Sequence, residues 1–440
     1  MSERLLIILH ENDEWPNKNN DKEKQLAITF SEKFKESDEQ LKELLTEKKI
    51  LDFDHIENKG IRIKSNSFIG TASFSGFDLK IIPKIYSKEE TQVWKNISTC
   101  INFIQGFTSA KILEYQKISF TDDNQFLQDF IIWSLVFECE LLLERGLLKS
   151  YVEHEENLPY LRGKLILKNQ FQNDIQKKVS FFCEYDELEH DNIENRIIFY
   201  SLLVCERIAI SPNLKDHIFT LIQKFSSMVQ KIPIFISDIE RVMRNYNRQN
   251  SHYKDAHSIC KLIIEHVGIS DFYHTKVPFS IPFFVDMNDV FEDFVTKLFQ
   301  KYSGSDNVTP QATQKAWNVD EKSSRVMKPD IILRKNSSLT IVDVKYKPEL
   351  HTSDLYQIGF YIHEYRDKDR KPTDNEAYAI MPQYHDTSKT SHTYVATKTG
   401  ITIYEKHICL NDFVDLLLNN QEQKIREKIS QEILIPTNFT

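Results

Sequence analysis

The spacing of apolar and polar positions divides the chain into stretches of different period. "RLLIILHE" near the N-terminus has strand character, and a helical pattern follows in "FSEKFKESDEQLKELLTEKK". From about residue 50 to 90, "GIRIKSNSFIGTASFSGFDLKIIPKI" alternates apolar and polar residues, with Gly70 and Gly76 near turns, and predicts short strands. From about 91 to 150 the period becomes helical, as in "NQFLQDFIIWSLVFECELLLERGLL". "LRGKLILKNQF" reads as a strand, and about 188 to 267 reads as a long helical region. The prolines of "DFYHTKVPFSIPFFVD" stop helices and mark a linker with extended pieces.

The last third changes character. A helix ("MNDVFEDFVTKLFQKYS") leads to strands in "SRVMKPDIILRK" and "LTIVDVKYK". A helix ("TSDLYQIGFYIHEYRD") and three further strands ("EAYAIMPQ", "HTYVATKT", "ITIYEKHICL") follow. This order predicts a mixed sheet flanked by helices. The expected class is α+β multidomain: a β-rich N-terminal domain over 1–165, a helical region over 166–280 and a mixed α/β domain over 281–440.

Within that last domain, "KPDIILRKNSSLTIVDVKYK" places charges inside an apolar pattern. Residues two apart in a strand share a face, so Asp343 and Lys345 point one way while Val342 and Val344 point into a core. If the strands pair as a hairpin around Asn336–Ser338, Asp330 approaches Asp343. Two neighbouring carboxylates repel unless a cation neutralises them. A hard divalent ion such as Mg²⁺, with Mn²⁺ as a substitute, fits carboxylate oxygens and can assist phosphodiester hydrolysis. A lysine beside it can orient water and stabilise charge on the phosphate. The bland alternative is an exposed hairpin with solvated charges.

Two helices flank this segment. Phe291, Phe294, Val295 and Leu298 form a buried stripe, with Glu292 on its edge, either within reach of the acids or merely solvated. Asp293 points further out, and Asn288 suits the helix N-cap or first turn. Downstream, Gln357 and Tyr361 lie four residues apart on one helix face, placed to bind a phosphate or hold Lys345. The alternative is a packed helix with Gln357 merely exposed.

Composition narrows the class. The 440 residues are 40% hydrophobic and 28% charged, as in globular proteins, and exceed one ordinary core. No apolar run reaches the roughly 18 residues of a membrane span, and no signal peptide is evident. The six cysteines are scattered without a CxxC pair, so they read as reduced thiols of a cytoplasmic protein. The histidines, His385 and His392 among them, show no zinc spacing. The net charge of −9 argues against coating nucleic acid by bulk electrostatics but leaves room for a local basic groove. Gly163-Lys164 is followed by leucine and is no phosphate-binding loop, so GTP is not expected to bind this chain.

These residues resemble the PD-(D/E)xK nuclease superfamily and, more narrowly, the McrC family. "FDLKIIPKI" (77–85) and "LPYLRGKLIL" (158–167) are similar to segments of that family. Most specific is "FFCEYDELEHDNIENRIIFYSLL" (181–203), in which Cys183, Tyr185, Asp186, Glu187, Asp191, Asn192, Asn195 and Arg196 follow the family signature. "MNDVFEDFV", "KPDIIL", "DVKYK" and "DLYQIGFY" then match in order, and the likeness covers about 60–385. The first 50 residues have no evident counterpart. The resemblance implies a catalytic core of Asp330, Asp343 and Lys345, with Glu292 as a helper and metal ligand and Gln357 in support. It implies that the N-terminal half docks on an McrB-like AAA+ GTPase hexamer, through which alone GTP acts. The C-terminal domain would then cut double-stranded, modified DNA.

The signature has its own physical reading. "DELEHDNIENR" is expected to open a long helix, its acids suited to the helix N-terminus. Asp191, Asn192, Asn195 and Arg196 form either an internal polar network or a contact with the GTPase ring. Arg162 belongs to that network or reaches a partner's nucleotide site. For the whole protein, the competing expectations are an endonuclease subunit, a regulatory adaptor with a retired nuclease-like domain, and a nuclease without a motor.

Overall fold

The computed structural model describes residues 5–17, 20–33, 36–56, 60–74, 77–84, 90–108, 111–112, 127–267, 283–303, 307–319, 323–335, 338–365, 375–383 and 392–433. Gly76, Asn336, Ser337, His385 and most of the 271–286 linker lie outside these residues. By contact the chain forms two units: Met1–Phe130 with Pro282–Thr440, and Ile131–Ile281.

The N-terminal part of the first unit holds β1 (Leu5–His10), β2 (Glu14–Trp15), β3 (Leu51–Ile56), β4 (Gly60–Ser65), β5 (Phe68–Ser73) and β6 (Phe77–Ile82). β2, β4 and β3 make a three-stranded sheet. The helical pattern near residue 30 becomes two helices, Asp21–Lys33 and Glu36–Glu47. Ile61, Ile63, Phe74, Phe77, Leu79 and Ile81 lead the core that these strands share.

The second unit pairs β7 (Ser150–Leu158), β8 (Lys164–Leu165) and β9 (Phe181–Glu189) in the order β7-β9-β8. Helices Ile193–Ile208, Pro212–Ser226, Ile236–Arg244 and Lys254–Val267 follow. Two expectations are corrected here. "LRGKLILKNQF" is a two-residue strand followed by the helix Leu167–Ile175. The acids of "CEYDELE" do not open a helix but lie on β9. Cys183 and Tyr185 alternate inward along it, and the period of two prevails until Asn192 caps the helix.

The chain then returns to the first unit. β10 (Phe283–Asp286) adds to the N-terminal sheet, giving the order β1-β6-β5-β10. This pairing is why the contact division differs from the three consecutive segments read from the sequence. Gly70 has φ +147, and a Cβ there would meet the Phe283 carbonyl at 2.0 Å, so the β5–β10 contact requires glycine.

β11 (Asn307–Pro310), β12 (Gln314–Val319), β13 (Ser323–Met327), β14 (Ile331–Lys335), β15 (Ser338–Val344), β16 (Glu376–Pro382), β17 (Thr393–Val395) and β18 (Thr402–Ile408) complete the unit. "SRVMKPDIILRK", read as one strand, is two. Among the described residues β13 pairs only with β12, and Pro329, which has no N–H to donate, separates it from β14. The larger sheet is mixed, with the order β11-β14-β15-β16-β18-β17. β14 and β15 form the expected antiparallel pair, while β15, β16 and β18 run parallel. The helix Thr352–Glu364 packs Ile358, Tyr361 and Ile362 on the face of Ile341, Ala377 and Ala379.

Candidate active site

The site is built where β15 ends. Ile331 pairs with Val342, and one more step of the same register sets Asp330 opposite Asp343. The Asp330 side chain is fixed by the backbone of the strand it faces: Val344 N–H donates to its Oδ2 at 2.7 Å. Lys345, two residues beyond Asp343 and on its face, brings Nζ to 2.8 Å from Asp343 Oδ2. Val342 and Val344 are buried on the other face, as expected. Asp343 itself departs from the expected sheet surface, because the helix Thr352–Glu364 covers that face and leaves the residue 1% exposed.

The electrostatics of the pair are unusual. Burial and the charge of Asp343 push the Asp330 carboxyl up to about 7. Glu292 pushes the same way, against the Val344 N–H bond and Lys345. Burial also raises Asp343, against the pull of Lys345. Burial works to lower Lys345, but Asp343, Asp330 and Asp354 together hold it above its ordinary value as a firm cation. Asp343 Oδ2 meets the ammonium of Lys345 at 2.8 Å, while its Oδ1 is buried with no hydrogen-bonding partner among the described residues. A buried carboxylate oxygen without a hydrogen bond is costly. Asp343 facing the carboxylate of Asp330, with hard oxygen donors on both, fits a divalent cation.

Glu292 sits on the helix Met287–Tyr302, whose buried stripe includes Phe291, Phe294, Val295 and Leu298. Asp286 caps that helix by accepting from Asn288 N–H at 2.9 Å, which puts Asn288 in the first turn, and Asp293 is exposed. Glu292 is half-buried and close enough to perturb Asp330. Gln311 links the two: its side-chain amide donates to Glu292 Oε1 at 3.0 Å and its backbone N–H to the Asp330 carbonyl at 2.7 Å. Gln311 holds φ at +46, a backbone state uncommon for a side chain of its size.

Gln357 is exposed and donates to the buried Tyr361 hydroxyl at 2.8 Å, as an i, i+4 pair. Lys345 is therefore held by Asp343 and not by this pair. Asp354, at the start of the same helix, pairs with Lys347 and accepts from His351 N–H at 2.7 Å.

A family model described as the McrBC 5-methylcytosine restriction system component matches residues 63–372, more than half of the chain. The chain belongs to this family. It shares its fold with a chain of the refined half-complex from a tetradecameric assembly of Thermococcus gammatolerans McrB AAA+ hexamers with bound McrC. The identity is 18%, the match covers 94% of this chain and 100% of that one, and the TM-score is 0.62. A second similar structure, the cryo-EM structure of the Thermococcus gammatolerans McrBC complex, is 21% identical over 67% of this chain and 87% of that one, with a TM-score of 0.47. No curated protein matches.

The McrBC match spans the signature of β9 and the helix that follows, and the structure gives that signature an interior role. Asn195 donates to the carbonyls of Leu148 and His190 at 2.9 and 2.7 Å and accepts from the Tyr253 hydroxyl at 2.7 Å. Asn192 caps the helix by accepting from Asn195 N–H and also donates to Leu148. Arg196 makes two bonds to Asp191 at 2.8 and 2.7 Å. This network lies within the second unit. Arg162 stands apart from it, stacked 3.9 Å over the Tyr185 ring and bonded to Glu187. Gly163, beside it, has φ +66, and a Cβ there would lie 2.3 Å from the Glu184 carbonyl.

Sequence reasoning missed Gln311, Asp354 and the Val344 amide. Gln311 and the Val344 amide act through partners brought near by the tertiary fold. Asp354 has local partners, His351 and Lys347, and its place in the first turn of its helix was the signal that could have found it. It also missed the approach of His154, Glu187 and Glu189, whose ligand-type atoms lie within 4.8 Å of one another. His154 already pairs with Glu189, and Glu187 with Arg162.

Proposed function

We propose that the chain is the Mg²⁺-dependent DNA endonuclease subunit of a McrBC-type restriction system, hydrolysing phosphodiester bonds of modified double-stranded DNA. The observation that carries this reading is the facing pair of Asp330 and Asp343, with the buried Oδ1 of Asp343 unpartnered among the described residues and Lys345 at 2.8 Å from its Oδ2. The mixed sheet order around that pair supports a PD-(D/E)xK nuclease fold. The work is cytoplasmic. No described helix is long and apolar enough to cross a membrane.

Asp330, Asp343 and Glu292 would hold the ion, Mg²⁺ or Mn²⁺, which when bound supplies positive charge to a phosphodiester oxygen. The protein prepares the rest. Val344 N–H fixes the rotamer of Asp330. Gln311 holds Glu292 against the Asp330 segment. Lys345, kept protonated by its acidic neighbours, orients the attacking water and meets the charge that develops on the phosphate. Gln357, fixed by Tyr361, presents its amide in support.

An McrB-like AAA+ GTPase ring is the partner, and GTP acts through it alone. The second unit supports such docking with exposed apolar side chains, among them Tyr160, Leu161, Phe171 and Ile175. The test is cleavage of methylated and unmethylated plasmid with GTP, Mg²⁺ and the AAA+ GTPase encoded beside this chain, comparing wild type with Lys345→Ala. Cleavage by wild type alone, with GTP hydrolysis stimulated by both, is the expected result. If neither cuts while both stimulate GTP hydrolysis, the chain is a regulatory adaptor.

A further inference from the structure

Glu11 follows β1, in a stretch the sequence reading left without a role. It is 1% exposed. Its own N–H donates to the Ile82 carbonyl at 3.0 Å. Its Oε1 accepts from Lys84 N–H at 2.8 Å, in the "IIPK" segment after β6, and from the Tyr346 hydroxyl at 2.6 Å. Its Oε2 is buried with no hydrogen-bonding partner among the described residues. A carboxylate kept in such a place is expensive, and a packed apolar residue would serve stability better.

Tyr346 stands between Lys345 and Lys347. Its ring lies 5.7 Å from that of Phe291, the residue before Glu292. β15 ends at Val344; beyond it, Lys345 N–H still donates to the Ile380 carbonyl at 2.8 Å. The next fixed point is the Tyr346 hydroxyl on Glu11. Lys345 is therefore strung between two anchors, one on β16 and one on the N-terminal sheet.

We infer that Glu11 is a positioning residue for the nuclease site, setting Lys345 through Tyr346 and binding the site to the sheet of β1 and β6. This rests on the nuclease reading above. A carboxylate serving only the packing of β1 would leave the chemistry of Lys345 unchanged. A positioning carboxylate acts through one hydroxyl, and its loss changes the rate and the metal requirement together.

The experiment is single-turnover DNA cleavage by the full chain with its GTPase partner, over a range of Mg²⁺ concentrations. The proteins are wild type, Lys345→Ala, Glu11→Ala, Glu11→Gln, Tyr346→Phe and the Glu11→Ala/Tyr346→Phe double variant. We expect Glu11→Ala and Tyr346→Phe each to slow cleavage at least about tenfold and to raise the Mg²⁺ concentration for half-maximal rate. The double variant should be no slower than the slower single one, because both remove one contact. Glu11→Gln keeps an acceptor for both donors and should recover most of the rate. Stimulation of GTP hydrolysis should stay at the wild-type level throughout. Wild-type rate and metal dependence in Tyr346→Phe, or losses that multiply in the double variant, would overturn the inference. Tyr346→Phe removes a single hydroxyl and keeps the test alive if Glu11→Ala fails to fold. Lys345→Ala cutting at the wild-type rate would instead sink the nuclease reading.

Discussion

Asp330 and Asp343 face each other across the β14–β15 register, yet the ammonium of Lys345 lies against only one of them. Asp330 is held instead by a backbone N–H, at 2.7 Å. Their isosteric amides should therefore act in opposite directions on stability. Asp330→Asn relieves repulsion and should raise Tm in the presence of a chelator. Asp343→Asn strips Lys345 of its counter-ion and should cost about 2 kcal/mol, less than a fully buried pair because Lys345 keeps contact with water. Both should lower cleavage by at least about a hundredfold. Thermal unfolding in chelator decides, and shifts of the same sign would mean the acids do not repel as described.

Added Mg²⁺ should stabilise the wild-type protein and leave Asp330→Asn nearly unmoved. Binding to the folded state alone contributes about 2.7 kcal/mol at a hundredfold excess over Kd. Differential scanning fluorimetry across an Mg²⁺ titration reads this directly, with no DNA or partner required.

Glu11 predicts a pH dependence. Burial raises its carboxyl to about 7, against the bonds from Tyr346 and Lys84; Lys84 is the nearby cation and Asp286 the nearby acid. The folded state thus holds a proton that the unfolded chain releases near 4.5. The stabilisation is complete below that pH and is lost as pH rises to 7, by about 3 kcal/mol in all. Glu11→Gln should flatten this part of the stability curve. Urea unfolding at half-unit steps from pH 4.5 to 7.5 measures it, and an unchanged slope would refute the assignment.

The signature of the second unit predicts a cost in stability. Asn195→Ala leaves the Leu148 and His190 carbonyls and the Tyr253 hydroxyl each short of a partner, and should cost about 2–4 kcal/mol. Asn192→Ala removes a helix cap and one bond to Leu148, and should cost about 1–2 kcal/mol. Denaturant unfolding compares them, and a loss under 1 kcal/mol for Asn195→Ala would show that the network is not structural.

Asp330, Asp343 and Lys345 were legible because a strand's period of two fixes which side chains share a face, and a hairpin fixes which residues meet. The apolar stripe around Glu292 was legible for the same reason at the helical period. Burial of Asp343 was not, because it depends on the helix Thr352–Glu364 folding back over β15. Gln311 and Glu11 were invisible, since their partners lie 19 and 335 residues away. The acids of β9 were misread because charges near a helix start suit the dipole equally well from a strand that ends there. At "VMKPD" the apolar pattern runs on and only the missing N–H of Pro329 breaks the strand.

The pairing of β10 with β5 has a consequence in time. β5 leaves the ribosome about two hundred residues before the strand that completes its sheet, because Ile131–Ile281 is made in between. The inserted unit can close its own core first, while the N-terminal sheet waits with an open edge. Until Phe283–Asp286 arrives, that edge is open to pairing with another nascent chain. Gly70, the residue that lets Phe283 come close, thus governs how the sheet is sealed at the end of synthesis as well as how it packs once made.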